Sequence, residues 1–285
     1  MKEMVAYEVL WRDKKMTFKS LAQLFARQPG KLPSDLVPAE YIDQLYAEVK
    51  ATAMSPAMGY RTNLLVHGSY DYPDRLRQAE EPVEVLYYSG HLDYLSTPSV
   101  AIVGTRKPSA AGLQQAEKVT RFMAAHRFTI VSGLAAGIDT MVHRTAMAAG
   151  GRTIAVIGTP LDQAYPAENA GLQKEIAREH LLITQVPFIR YREQSIKGNR
   201  QFFPERNKTM SALSEATIIV EAGQTSGTMI QARAALYQKR KLFILESCFH
   251  NKDITWPAAY EQQGAIRVQH FEEILQHLPA PGRHE

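Results

Sequence analysis

Six short apolar runs rich in β-branched residues recur along the chain, each separated from the next by a longer segment. They are VAIV at 100–103, FTIV at 128–131, TIAVI at 153–157, LLIT at 181–184, TIIV at 217–220 and KLFIL at 241–245. Runs of this length without polar alternation are buried on both faces, and spacing them with amphipathic segments predicts a parallel sheet covered by helices on each side. The fold class read from this pattern is α/β, an extended Rossmann-like domain with a mainly parallel sheet. The intervening helices carry their own period. In 109–126, Leu113, Ala116, Val119, Thr120 and Met123 share one stripe and Ser109 stands at the cap; Gly150 and Gly151 close the next helix.

Ahead of Pro98 the pattern changes. FKSLAQLFARQ and YIDQLYAEVKA have helical spacing, and LPSDLVP and AMSPAMGY carry the Pro and Gly punctuation of connections. Residues 1–71 are expected to form a small helical N-terminal domain and linker, with the Rossmann-like domain over 72–285. A chain of 285 residues with 45% apolar content can bury one large core or two unequal ones. No run approaches the roughly 18 apolar residues of a membrane span. The N-terminus, MKEMVAYEVLWRDKK, has charges where a signal peptide needs an apolar stretch. The expectation is a cytoplasmic protein away from any membrane. A single cysteine, Cys248, excludes an internal disulfide and reads as a small buried hydrophobe.

Ligands of open parallel sheets bind beyond the carboxyl ends of the strands, so the loops after the strands hold the candidate site. After VAIV comes GTRKPSAAG, where Gly104 allows a tight turn, Thr105 offers a hydroxyl, and Arg106 and Lys107 bring charge to a helix start. Gly112 is too distant for a GxGxxG dinucleotide fingerprint. After FTIV comes SGLAAGID, with Gly133 and Gly137 leaving room for close approach and Asp139 placed either to cap amides or to meet a ligand. His143 lies four residues beyond Asp139, but no third ligand is in reach and no metal is expected. After TIIVEA comes GQTSGTMIQA, with Ser226, Gly227 and Thr228 opening another helix. Three such loops on one sheet edge can converge their amides on several phosphates. Net charge is only +4, yet the window 190–208 holds six basic residues, Arg190, Arg192, Lys197, Arg200, Arg206 and Lys208, against two acidic ones. A patch of that kind attracts polyanions. Within it, QFFPERNKTMSALS reads as a loop shaped by Pro204, with Phe202 in the core, Phe203 available to stack, and Arg206, Asn207 and Lys208 facing phosphates.

The succession YPDRL, VAIVGTRKPSAAG, IVSGLAAGIDTMVH, GGRTIAVIG, LDQAYPAEN, FFPERNKTMSALS, IIVEA and SGTMIQARAAL resembles the DNA-processing protein A family, also called Smf, from about Tyr72 to Arg267. By motif, Gly104, Thr105 and Arg106 match its Gly-Ser-Arg loop. Ser132, Gly133, Ala135, Gly137, Ile138 and Asp139 match its Ser-Gly-x-Ala-x-Gly-Ile-Asp loop. Phe203, Pro204, Arg206 and Asn207 match Phe-Pro-x-Arg-Asn, and Ser226 and Gly227 the late Ser-Gly. The resemblance implies single-stranded DNA as the partner, a homodimer, a RecA-type recombinase loaded during natural transformation, and binding without chemistry, catalytic residues or cofactor. There are departures. Thr184, Gln185, Val186 and Pro187 replace Ser-Glu-x-Pro, ESCFHN replaces a Pro-Gly turn, Lys208 replaces an arginine, and the winged-helix domain that many members append is not expected here.

Two other classes stay open. One is a nucleotide-binding sensor or defence-associated module using the same loops. The other is a nucleoside-monophosphate hydrolase of the related Rossmann group, whose motif carries a glutamate near the position where this chain has Gln231, and glutamine cannot act as a general base.

Overall fold

The computed structural model describes residues 1–69, 72–79 and 81–279. Among these, nine strands form one sheet: β1 (Asn63–Val66), β2 (Val85–Gly90), β3 (Ser99–Val103), β4 (Thr129–Ser132), β5 (Thr153–Val156), β6 (Leu181–Thr184), β7 (Ala216–Ile219), β8 (Lys241–Leu245) and β9 (Ile266–Val268). Their order is β1-β2-β6-β5-β4-β3-β7-β8-β9. β2 runs antiparallel to β1 and β6, and the other pairings are parallel. The six apolar runs are all strands, and the α/β, mainly parallel architecture is the one their pattern dictates. β1 lies ahead of the boundary expected at residue 72. It is a half-exposed edge strand that buries Leu65 alone, too little to register as an apolar run.

Period-two alternation assigns each strand residue to a layer. Val100 and Ile102 face helices Ala110–Ala125 and Ile138–Ala148 through Val119, Met123 and Val142. Ala101 and Val103 face the opposite layer, where helices Phe202–Leu213 and Thr228–Tyr237 contribute Met210, Ala232 and Ala235. Tyr87, Ala155 and Leu182 pack in a third cluster with the N-terminal helices Lys2–Leu10, Phe18–Arg27 and Ala39–Ala53. The N-terminal segment is helical, as its spacing predicts, and shares its core with the sheet. Trp11, Phe18 and Phe202 meet edge to face with ring centroids 4.9–5.9 Å apart.

A buried carboxylate fixes that docking. Glu8, 1% exposed, accepts the Tyr87 hydroxyl at 2.5 Å and the Phe188 and Ile189 backbone N–H groups at 2.8 and 3.0 Å. Burial raises its pKa from 4.5 to about 7, against the opposing effect of those three hydrogen bonds and of Arg192. Glu8→Ala would strand three buried donors, at a cost of about 2–4 kcal/mol. That loss should be read as a lower urea midpoint at unchanged denaturant slope. Because the folded-state pKa lies above the unfolded one, the contribution from protonation is fully present below pH 4.5 and lost as pH rises through about 7. The stability margin of the wild type over Glu8→Gln should narrow across that window.

Candidate functional site

From β3 the chain builds outward through β4, β5 and β6, then returns to the other side of β3 for β7, β8 and β9. The reversal between β3 and β7 is where an open α/β sheet forms its crevice. A cleft of about 520 Å³ lies there. Gly104, Thr105, Arg106 and Lys107 line it after β3, Ala135 and Asp139 after β4, and Gly223, Thr225, Ser226, Gly227 and Thr228 after β7. Helix Phe202–Leu213 adds Arg206, Asn207 and Met210, and helix Thr228–Tyr237 adds Gln231. Arg106 and Lys107 are exposed.

The loops are locked to one another. The Thr105 N–H donates to the Glu221 carbonyl at 2.7 Å, the Ile138 N–H to the Thr105 carbonyl at 3.2 Å, and Asn207 Nδ2 to the Gly227 carbonyl at 3.2 Å. Gly137 has φ of 80°, and a Cβ there would come within 2.8 Å of the Arg106 carbonyl oxygen. Arg206, 7% exposed, reaches under this layer. Its Nη1 donates to the Gly133 carbonyl and, at 3.0 Å, to the Val156 carbonyl, and its Nε donates to Asn207 Oδ1 at 2.9 Å. Burial lowers its pKa from 12.5 to about 10, with Asp139 opposing the fall. It stays cationic at neutral pH. Asp139 Oδ2 accepts the N–H groups of Gly133 and Ala135 at 3.2 and 3.4 Å. Burial raises the Asp139 pKa, and Arg206 is the largest influence against that rise. A Cβ on Gly133 would overlap the Arg206 guanidinium, so the glycine makes room for the arginine.

A sequence model of the family described as DNA recombination-mediator protein A matches residues 63–279. The chain belongs to the DNA recombination-mediator protein A family. Protein Smf of Synechocystis is 38% identical over 204 residues, which make up 70% of this chain and 48% of that protein. The chain thus spans about half the length of that curated relative. DNA processing protein A of Streptococcus pneumoniae has the same fold, with a TM-score of 0.73 at 28% identity over 98% of this chain and 94% of that one. The Helicobacter pylori protein, whose structure addresses its single-stranded DNA binding mode, gives 0.66 at 29% identity over 77% of this chain and 96% of that one.

In this member of the recombination-mediator family the motif residues divide into those brought to the cleft and those used elsewhere. Gly104, Thr105, Arg106, Lys107, Ala135, Asp139, Arg206, Asn207, Ser226, Gly227 and Thr228 line it. Ser132 is fully buried and donates to the Ile102 carbonyl at 2.7 Å, and Gly133 and Gly137 act through packing. The basic window does not form one surface. Arg190 donates to the Lys14 carbonyl at 3.0 Å, and Arg192 meets Glu48 and Thr52 at 3.5 and 3.2 Å. Lys197 and Arg200 are exposed on and just after the short helix Ile196–Asn199, and neither lines the cleft. Lys208 ion-pairs with Glu81 at 2.8 Å and Glu205 at 3.1 Å.

The segment read as a loop around Pro204 is helix Phe202–Leu213. Proline is tolerated in a first turn because its missing N–H would find no intrahelical partner there. The helical period turns Arg206 inward and sends Lys208 to another face. Ser109 does cap helix Ala110–Ala125, but Glu221 accepts its N–H at 3.1 Å and its hydroxyl at 2.8 Å, so the protein's own carboxylate fills the expected anion seat. His143 is fully buried, its Nδ1 2.8 Å from Thr153 Oγ1, and burial lowers its pKa to about 3. It is a neutral core residue.

One feature the loop reading missed is Tyr165. It is 52% exposed, with its ring 5.5 Å from Phe203 at 61°. Phe203 packs on Gly158, where a Cβ would come within 2.7 Å of the ring. The signal was the aromatic in LDQAYP. Asp139→Ala would leave buried Arg206 without its opposing charge, a loss of about 3–5 kcal/mol. Urea unfolding should show it, and a change below about 1 kcal/mol, the range of an exposed pair, would refute the pairing.

Proposed function

We propose that the cleft binds single-stranded DNA through phosphate contacts at one end and base stacking at the other, without chemistry on the strand. The observation that carries this reading is continuity. The 520 Å³ cleft and a smaller pocket of about 80 Å³ beside Tyr165 and Phe203 share Arg106, Ala135 and Arg206. Exposed cations next to an exposed ring are what a sequence-tolerant single-strand site requires. Arg106 and Lys107 supply charge to phosphates. Tyr165 offers its face to a base, and Phe203 braces it edge-on. Thr105, Asn207, Ser226 and Thr228 supply polar groups along the strand's path.

Among the described residues lining the cleft the one carboxylate is Asp139, engaged by two loop amides, and Gln231 is buried beside Thr217 at 3.4 Å. Neither is poised as a general base, which supports binding over hydrolysis. Family membership supports the wider reading of a cytoplasmic homodimer that protects incoming single strands and delivers them to a RecA-type recombinase.

Arg106→Ala should reduce the slope of log affinity against log salt by about 0.7 for a single-strand phosphate contact. Tyr165→Ala should weaken binding by about 1–3 kcal/mol with the slope preserved. Lys208→Ala should change neither. Fluorescence anisotropy with an oligothymidine at several salt concentrations separates these outcomes, and an unchanged slope in Arg106→Ala would sink the assignment. Thermal stabilisation by a mononucleotide but not by the oligonucleotide would favour the sensor reading.

A further inference from the structure

The turn after β4 places a leucine in a backbone conformation that glycine ordinarily supplies. Leu134 has φ of 58°, and its side chain is fully buried in the cluster that includes Ala155, Ile157 and Leu161. Left-handed backbone is costly for a residue with a Cβ and persists where the surroundings over-determine it. Here the surroundings are two side chains gripping opposite sides of one turn. Asp139 takes the N–H groups of Gly133 and Ala135. Asn169, 5% exposed, takes the carbonyls: its Nδ2 donates to Leu134 at 3.0 Å and to Ala135 at 3.5 Å, and lies 2.8 Å from Thr140 Oγ1. Thr140 Oγ1 donates in turn to the Ala135 carbonyl at 2.7 Å. Asn169 does not line the cleft, whereas Ala135 does. Its own N–H donates to the Pro166 carbonyl at 3.0 Å, so the same residue links the turn to the segment that carries Tyr165.

We infer that Asn169 is a positioning residue for the cleft. Its amide holds Leu134 in the left-handed state, and this sets both Ala135 and the Gly133 carbonyl that receives Arg206. Its binding consequence rests on the single-strand reading of the cleft; the clamp itself does not. Asparagine suits the task because its amide gives N–H donors to neutral carbonyls. Aspartate of the same shape would set a carboxylate against them.

The test uses the full chain with Asn169→Ala, Asn169→Asp, and Asn169→Ala combined with Leu134→Gly, and an oligothymidine as probe. Loss of the clamp should raise Kd about tenfold, in line with one lost buried hydrogen bond. The salt slope should stay at the wild-type value, since no phosphate contact is removed. Leu134→Gly relieves the backbone strain but empties a core position. In the Asn169→Ala background it should therefore restore most of the affinity while lowering Tm further. General loosening would move both quantities the same way. Wild-type affinity in both single variants, a shallower slope, or a double variant that binds worse than Asn169→Ala overturns the proposal. Amide hydrogen exchange of the free proteins reads the clamp without DNA. Residues 133–137 should exchange about tenfold faster in Asn169→Ala, with helix Ala170–Glu179 unchanged. Unchanged exchange also overturns it. Faster exchange in a chain that binds no oligonucleotide would uphold the clamp and remove the single-strand reading.

Discussion

A guanidinium almost closed off from water governs the carboxyl edge of this sheet. Arg206 enters from helix Phe202–Leu213 and takes carbonyls from the ends of β4 and β5. Burying a cation is tolerable only with an opposing charge and satisfied donors. Asp139 provides the charge and Gly133 provides the room. Three separate stretches of sequence therefore depend on one another: the Arg-Asn pair of a helix, the glycine after a strand, and the acid at the next helix start. The two charges are spent internally, so the field presented outward comes from Arg106 and Lys107.

The same economy appears across the loop edge. Glycine-rich turns at helix starts suggest amides waiting for phosphate. Here Asp139 occupies the amides of one turn and Glu221 the start of helix Ala110–Ala125. Gly104, Gly133 and Gly137 act by admitting close neighbours, and the positive charge shown at this edge comes from exposed side chains. The crevice geometry is thereby fixed by the protein's own contacts, an arrangement that would lower the ordering cost of binding.

The strands and the crevice were legible because they follow from local signals. Buried runs without alternation, glycines after strands and a cap at Ser109 each act within a few residues. β1, β2 and β9 were not: β1 and β9 are edge strands of four and three residues that bury too little to leave a hydrophobic trace, and β2, VLYYSG, breaks its apolar run with tyrosines, a serine and a glycine. Pro204 suggests a loop by residue type, yet its position in a first turn is compatible with helix. The fate of the basic window was illegible for a different reason. Whether Arg190, Arg192 and Lys208 face solvent or Lys14, Glu48 and Glu81 depends on contacts up to 176 residues away. No local pattern encodes such pairings.

Helix Phe202–Leu213 has two ends of unlike duty. One turn before Arg206, Phe202 closes an aromatic cluster with Trp11 and Phe18, and Glu8 fastens the same N-terminal layer to Tyr87 and the start of helix Phe188–Glu193. This bears on where the polypeptide can be shortened. A fragment trimmed to 63–279, the stretch that the family's sequence model matches, would leave Tyr87, Leu182, Phe188 and Phe202 stripped of their cover. The smallest unit able to keep its crevice in shape therefore reaches back past residue 63 into the N-terminal helices.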